Sequence, residues 1–122
     1  MKVMVVDDET DVELLFMQQF RREIKKGIIN LDFAFSAEQA LEYLQGKITE
    51  GLVLILADIN MPGMNGLELL KILKERFPHL KVFIITAFGD ENNYQTARQY
   101  GADDYINKPI EFEKLKEKIL NL

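Results

Sequence analysis

Short apolar runs alternate with longer amphipathic segments along the whole chain, and this alternation limits the fold more than any other feature. The apolar runs are KVMVV (2–6), INLDFAF (29–35), LVLILA (52–57), KVFIIT (81–86) and DYI (104–106). The first, third and fourth runs are almost continuously apolar, which is typical of parallel strands covered on both faces. The chain is therefore predicted to be an α/β protein with a five-stranded parallel sheet.

The segments between the apolar runs repeat apolar residues at three- and four-residue steps, as helices with one buried face do. We predict five helices, over 10–26, from Ser36, over 67–77, over 90–100 and over 112–122. Thr10 with Glu13 predicts a capping box at the first helix start, and Ser36 with Gln39 predicts another. Five βα units with short connections imply right-handed crossovers and a doubly wound single domain over residues 1–122.

Composition excludes several classes of function. The chain has 122 residues and no cysteine, so disulfides, thiolate metal sites and cysteine nucleophiles are excluded. A net charge of −5 argues against direct nucleic-acid binding, because phosphate contacts require a basic face. The apolar runs are shorter than the roughly 18 residues of a membrane span, and the N-terminus does not suit a signal peptide. We therefore expect a cytoplasmic protein.

Polar side chains follow the predicted strands at the points where they end. Asp7 and Asp8 follow the first strand, Asp58 follows the third, Thr86 ends the fourth, and Lys108 lies two residues past the fifth. In a doubly wound sheet the carboxyl ends of the strands form the edge where ligands bind. The sequence therefore predicts that three carboxylates, a hydroxyl and an ammonium group share one edge.

A cluster of three carboxylates requires a cation or a proton, because each pair repels by roughly 1–4 kcal/mol at surface-like dielectrics. Oxygen ligands with no cysteine or histidine nearby favour Mg²⁺, which retains water and takes one or two carboxylates. Taken alone, two aspartates after a strand, such as Asp7 and Asp8, are more often a helix cap and a solvated loop than a metal site. Lys108 alone is an ordinary surface lysine. It is the joint placement at several strand ends that favours a site.

Four motifs in order resemble one known family. VVDDE (5–9), DINMPGMNG (58–66), IITA (84–87) and GADDYINKP (101–109) are similar to the motifs of response-regulator receiver domains of two-component signalling. The resemblance covers the whole chain. It implies a flavodoxin-like (βα)5 fold with strand order 2-1-3-4-5, and a signalling phosphoacceptor that supports its own phosphorylation and dephosphorylation rather than a turnover enzyme.

The resemblance assigns the acceptor and the metal ligands by position. Asp58 corresponds to the residue that accepts a phosphoryl group from a phosphohistidine. Asp8 corresponds to a direct Mg²⁺ ligand, with Asp7 beside it and the backbone carbonyl of Asn60 as a further ligand. The implied cofactor is Mg²⁺, with Mn²⁺ as a substitute.

The resemblance also assigns the groups that bind the phosphoryl oxygens and change conformation. Thr86 corresponds to a hydrogen-bond donor and Lys108 to an ion-pair partner. Tyr105 corresponds to a switch aromatic that turns inward when Thr86 moves. The alternative, that Tyr105 is an ordinary interface tyrosine, stays open. The Lys108–Pro109 bond corresponds to a cis peptide. The affected face comprises the predicted fourth helix, the fifth strand and the last helix.

The implied partners are a sensor histidine kinase or a histidine phosphotransfer protein, and a downstream effector or output domain. The resemblance implies no direct nucleic-acid contact by this domain and no membrane contact. Residues 1–122 are expected to hold one receiver domain without an output domain. A phosphorylation-dependent homodimer stays open.

Three other functions are alternatives to a phosphoacceptor receiver. A Mg²⁺-dependent aspartyl phosphatase needs a second aspartate two residues after the nucleophile, where this chain has Asn60. A flavin carrier needs a phosphate-binding loop after the first strand, where DDETD would repel phosphate. A degenerate receiver that only binds partners stays open. We also hypothesise that Phe88, where some relatives have a polar residue, makes phosphoaspartate hydrolysis slow.

Overall fold

The computed structural model describes residues 1–46, 50–87 and 89–122, and it confirms the predicted fold. Its strands are β1 (Lys2–Val6), β2 (Asn30–Ala34), β3 (Leu52–Asp58), β4 (Lys81–Ala87) and β5 (Asp104–Lys108). They form one parallel sheet in the order β2-β1-β3-β4-β5. This is the strand order that the family resemblance implied.

Six helices lie within the described residues: α1 (Asp11–Gln19), α2 (Arg21–Lys25), α3 (Ala37–Leu44), α4 (Gly66–Arg76), α5 (Glu91–Gln99) and α6 (Phe112–Leu120). The prediction of one continuous first helix was wrong, because the chain bends at Phe20, where φ is −99° and ψ is 12°. Hydrogen bonds continue through the bend, from Phe20 N–H to Phe16 C=O and from Ile24 N–H to Phe20 C=O. The Phe20 side chain stays fully buried.

The helix starts differ from the predicted capping boxes. Thr10 has helical φ and ψ, and its side chain makes no capping hydrogen bond, so the predicted box at the first helix is wrong. Ser36 Oγ does accept the N–H of Gln39 at 2.9 Å. The Gln39 side chain accepts the N–H of Phe35 rather than that of Ser36.

The sheet separates two apolar layers, because successive side chains of a strand point to opposite faces. Ile55 and Ala57 of β3 belong to a layer built with α3, α4 and α5. Leu54 and Leu56 belong to a second layer built with α1 and α6. Burial on both faces explains why the central strands are continuously apolar in the sequence.

Strand register aligns the carboxyl ends of β1, β3, β4 and β5 at one edge of the sheet. The paired residues near this edge are Val6 with Ala57, Asp58 with Ile85, and Ala87 with Lys108. Side chains at or just beyond these positions therefore share one rim. Among the described residues, the helices are too short and too polar to cross a lipid bilayer.

Candidate functional site

Three aspartates meet at the carboxyl edge of the sheet. Asp58 is the last residue of β3 and is 2% exposed, while Asp7 directly follows β1 and is 6% exposed. Asp8 is exposed to solvent. One carboxylate oxygen from each residue lies within 4.8 Å of the others. The structure thus brings together the three carboxylates that the sequence placed at separate strand ends.

Burial raises the pKa of Asp7 to about 6. The N–H of Glu9 donates to Asp7 Oδ1 at 2.9 Å and opposes this rise, whereas the nearby charge of Asp58 adds to it. Two acidic groups in a poorly hydrated place repel each other. Because the donors are all oxygen atoms and closely spaced, the cluster fits a hard divalent cation such as Mg²⁺.

Lys108 forms an ion pair with Asp58 across β4, with 2.7 Å between Nζ and Asp58 Oδ1. Burial raises the pKa of Asp58, and the Lys108 ammonium lowers it by a smaller amount. Burial lowers the pKa of Lys108, but the contact with Asp58 raises it above the usual value. The ammonium is the polar partner of the buried Asp58 Oδ1, and an ionised carboxylate has about four acceptor sites on its two oxygens. This carboxylate therefore retains acceptor capacity toward a ligand.

The loop 59–65 connects Asp58 to α4 and lies close to the backbone of β3. Gly66 N–H donates to Ile59 C=O at 3.0 Å. A Cβ added at Gly66 would lie 2.2 Å from the carbonyl oxygen of Asp58, so only glycine allows this approach. Asn60, which the resemblance names as a metal ligand through its carbonyl, lies exposed on this loop.

Thr86 and Tyr105 form a second group on the neighbouring strands β4 and β5. Thr86 is fully buried, and its Oγ1 makes no well-formed hydrogen bond, although it lies near enough to the Tyr105 hydroxyl to interact with it. The Tyr105 hydroxyl donates to Asp90 C=O at 3.3 Å, and its ring packs edge-on against Tyr94 at 4.7 Å. Burial raises the pKa of Tyr105, and the neighbouring Thr86 hydroxyl opposes the rise. The two side chains are therefore neighbours.

Lys108 lies in the sheet rather than beyond it. The sequence ended the fifth strand at residue 106, but β5 continues to Lys108, which pairs with Ala87. The Lys108–Pro109 peptide bond is cis. Phe88, on which the slow-hydrolysis hypothesis depends, lies outside the described residues.

Sequence reasoning missed two features that shape the site. Glu9 supplies the N–H that binds Asp7. Asn65 and Glu68 form a capping box at the start of α4, which fixes the far end of the loop 59–65. The N-x-x-E spacing of these two residues is a recognisable capping signal, so this feature was detectable in the sequence.

Comparison with known proteins gives matches over nearly the whole chain. The family model for "Response regulator receiver domain" matches residues 3–120. The DNA-binding transcriptional regulator NtrC of Proteus hauseri is 38% identical over 112 residues, which cover 92% of this chain and 22% of NtrC. Sporulation initiation phosphotransferase F of Bacillus subtilis is 28% identical over 118 residues, which cover 97% of this chain and 90% of that protein.

Solved structures show the same architecture. The crystal structure of a CheY-like response regulator receiver domain protein from Methanospirillum hungatei matches with a TM-score of 0.85 and 28% identity, covering 98% of this chain and 90% of that one. The chain spans only 16% to 30% of the length of three curated relatives that it matches.

Proposed function

This chain belongs to the response regulator receiver domain family, and from that premise we propose that Asp58 is its phosphoacceptor. The donor is a phosphohistidine on a sensor histidine kinase or a histidine phosphotransfer protein. The observation that carries the proposal is the environment of Asp58. Its buried carboxylate lies 2.7 Å from the Lys108 ammonium and within 4.8 Å of the Asp7 and Asp8 carboxylates.

In the transfer, an Asp58 carboxylate oxygen forms a bond to phosphorus while the bond from phosphorus to the donor imidazole breaks. The imidazole leaves with the electron pair of that bond. Charge in such transition states lies on the equatorial phosphoryl oxygens, so catalysis is mainly positioning and electrostatics. Lys108, already beside Asp58, supplies positive charge there.

Asp7, Asp8, Asp58 and the Asn60 carbonyl would hold Mg²⁺, or Mn²⁺ in its place. The bound ion would neutralise negative charge on the phosphoryl group. Asp7 and Asp8 act only as ligands in this proposal. Their separation from each other and from Asp58, within 4.8 Å, supports a shared cation.

Thr86 supports a link between phosphorylation and conformation. A buried hydroxyl without a well-formed hydrogen bond carries a cost of up to about 1–3 kcal/mol, part of which a hydrogen bond to a new acceptor recovers. A phosphoryl oxygen on Asp58 is such an acceptor, because β4 lies directly beside β3. Movement of Thr86 toward it would leave space for Tyr105, changing the face formed by α5, β5 and α6.

We propose that residues 1–122 form one cytoplasmic receiver domain whose α5-β5-α6 face controls a downstream effector or output domain. The NtrC-type relatives, which are several times longer than this chain, support an output domain as the target. Phosphorylation-dependent homodimerisation through the same face is part of this proposal. Direct nucleic-acid binding by this domain is not.

Incubation with acetyl phosphate and Mg²⁺, followed by intact-mass measurement, tests the function. We expect wild type to gain one phosphoryl group and Asp58→Asn to gain none. Asp32→Asn on β2, whose carboxylate pairs with Lys2 at 3.6 Å, is a matched control that should still be modified. Unmodified wild type would instead indicate a degenerate receiver, and modification of Asp58→Asn would place the acceptor elsewhere.

A further inference from the structure

Glu38 connects α3 to the loop that follows Asp58. It lies in the first turn of α3, and its Oε2 accepts the N–H of Met64 at 3.2 Å. The two residues are 26 positions apart in the chain. Among the described residues, Glu38 provides the side-chain hydrogen bond to the loop 59–65 from a helix other than α4.

The two ends of this loop are fixed by other contacts. At its start, Ile59 N–H donates to Ile85 C=O at 3.1 Å. At its end, the Asn65 side chain accepts the N–H of Glu68 at 2.9 Å. Glu38 therefore restrains the part of the loop just before the Asn65 cap.

The Glu38 carboxylate also lies close to Gly63 of the loop. The φ of Gly63 is +75°, and a Cβ added there would lie 2.9 Å from Glu38 Oε2. Glycine thus does two things at this position: it permits the left-handed backbone, and it leaves room for the carboxylate. An ordinary exposed glutamate on a helix surface would not require this space.

We propose that Glu38 is a positioning residue, which holds the loop 59–65 through Met64 and so places the Asn60 carbonyl beside the aspartate cluster. The inference rests on the proposed function for its effect on metal binding, but the restraint itself does not. A carboxylate acceptor makes the hydrogen bond charge-assisted and stronger than a neutral one. Partners behind metal ligands orient those ligands and alter metal affinity.

The rate at which the Met64 amide proton exchanges with solvent, measured by NMR in the absence of metal, tests the restraint. Because the hydrogen bond is exposed, we expect Glu38→Ala to accelerate this exchange by about fivefold. Glu38→Gln, which retains an acceptor oxygen, should restore most of the protection. Glu42→Ala, one turn further along α3 and also exposed, controls for the loss of a helix-surface carboxylate.

Mg²⁺ binding tests the consequence. The Mg²⁺ concentration that gives half of the rise in melting temperature should increase about threefold in Glu38→Ala and return toward the wild-type value in Glu38→Gln. With acetyl phosphate, the half-saturating Mg²⁺ concentration should rise by the same factor. The maximal rate at saturating Mg²⁺ should stay within about twofold of wild type, because Glu38 touches no reacting atom.

Gly63→Ala provides an independent perturbation, because its methyl group would displace the Glu38 carboxylate. Gly27→Ala is the matched control, since Gly27 has φ of +73° but no atom within 4 Å of the added Cβ. Both variants carry similar backbone strain. Only Gly63→Ala should accelerate Met64 exchange and raise the half-saturating Mg²⁺ concentration.

The outcomes separate the two proposals. Unchanged Met64 exchange in Glu38→Ala overturns the restraint. Faster exchange with unchanged Mg²⁺ half-saturation overturns the positioning role. If wild type neither binds Mg²⁺ nor accepts phosphate, the proposed function fails, and with it the positioning role, while Met64 exchange still reports on the restraint.

Discussion

The two edges of the sheet differ in how completely their charged groups are paired. At the amino edge, Lys74 Nζ lies 2.5 Å from Asp103 Oδ2 and donates to Leu80 C=O at 3.1 Å. Asp103 Oδ2 also accepts the N–H of Val82 at 2.8 Å. Each charged group therefore has several partners, and the network joins α4 to the starts of β4 and β5.

At the carboxyl edge the charged and polar groups are paired less completely. Asp58 Oδ1 contacts the Lys108 ammonium, but Thr86 Oγ1 is buried without a well-formed hydrogen bond, and burial next to Asp58 raises the pKa of Asp7. Such groups cost folding free energy. The difference teaches that this protein satisfies its polar groups where they serve stability and satisfies them less completely where a ligand is proposed to bind.

The largest expected effect comes from closing the space behind Asp58. In Gly66→Ala the new methyl group would overlap the Asp58 carbonyl oxygen, at 2.2 Å. Because the neighbour is backbone, we expect a loss of about 3 kcal/mol in the free energy of unfolding, measured in urea. Gly46→Ala is the control, because the added Cβ would meet Tyr43 C=O at 3.5 Å, an ordinary contact distance, and it should change stability less. Equal stability of both variants would contradict the close approach.

Removing a charge at the carboxyl edge should stabilise the metal-free protein. Asp7→Asn removes a buried charge, and with it the desolvation cost and the smaller repulsion with Asp58, while keeping an acceptor for the N–H of Glu9. We expect a gain of about 2 kcal/mol at pH 7, less than the full two-unit shift would give because the cluster borders solvent. Urea unfolding with and without Mg²⁺ measures it, and the gain should shrink when Mg²⁺ is added to both proteins.

The sign of this effect depends on pH. The folded protein holds the Asp7 proton up to a pKa of about 6, against 3.8 as the ordinary value. Raising the pH through this interval therefore lowers the stability of wild type relative to Asp7→Asn, and the difference should vanish below about pH 4. A difference that is constant across the interval would contradict the raised pKa.

Removing a charge at the amino edge should lower the stability of the protein rather than raise it. Lys74→Met leaves the Asp103 carboxylate, whose side chain is 24% exposed, without its main counter-ion. We expect a loss of about 1.5 kcal/mol in urea unfolding, reduced by solvent access. Lys114→Met is the control, because its pair with Glu111 is largely exposed and worth little. A gain in stability for Lys74→Met would remove the distinction between the edges.

The smallest expected effect is at Tyr105. Tyr105→Phe removes the hydrogen bond to Asp90 C=O but keeps the ring that packs on Tyr94. Stability should fall by less than about 1 kcal/mol, and the rate of Asp58 phosphorylation by acetyl phosphate should not change. A large loss in either measurement would make the Tyr105 hydroxyl part of the site rather than a neighbour of it.

The sequence predicted the sheet because burial on both faces leaves a local pattern in the central strands. It also predicted which residues share the carboxyl edge, since each follows its own strand. The bend at Phe20 was not predictable, because the apolar spacing of residues 12–24 continues through it. Threonine is a common N-cap residue, but a capping hydrogen bond also requires non-helical backbone angles at Thr10. The residue type alone does not predict those angles.

Contacts between distant segments were beyond the sequence for a different reason. Glu38 and Met64 are each ordinary at their positions, and only the packed fold brings them together. Lys108 was expected past the strand because the apolar run that predicts the strand ends at Ile106. Pairing with Ala87 of β4 extends the strand past that run.

Three neighbouring strands, β3, β4 and β5, carry Asp58, Thr86 and Tyr105 respectively. Neighbouring strands lie about 4.8 Å apart, so a rearrangement of the proposed kind would cross only two such spacings, roughly 10 Å, between the acceptor strand and β5.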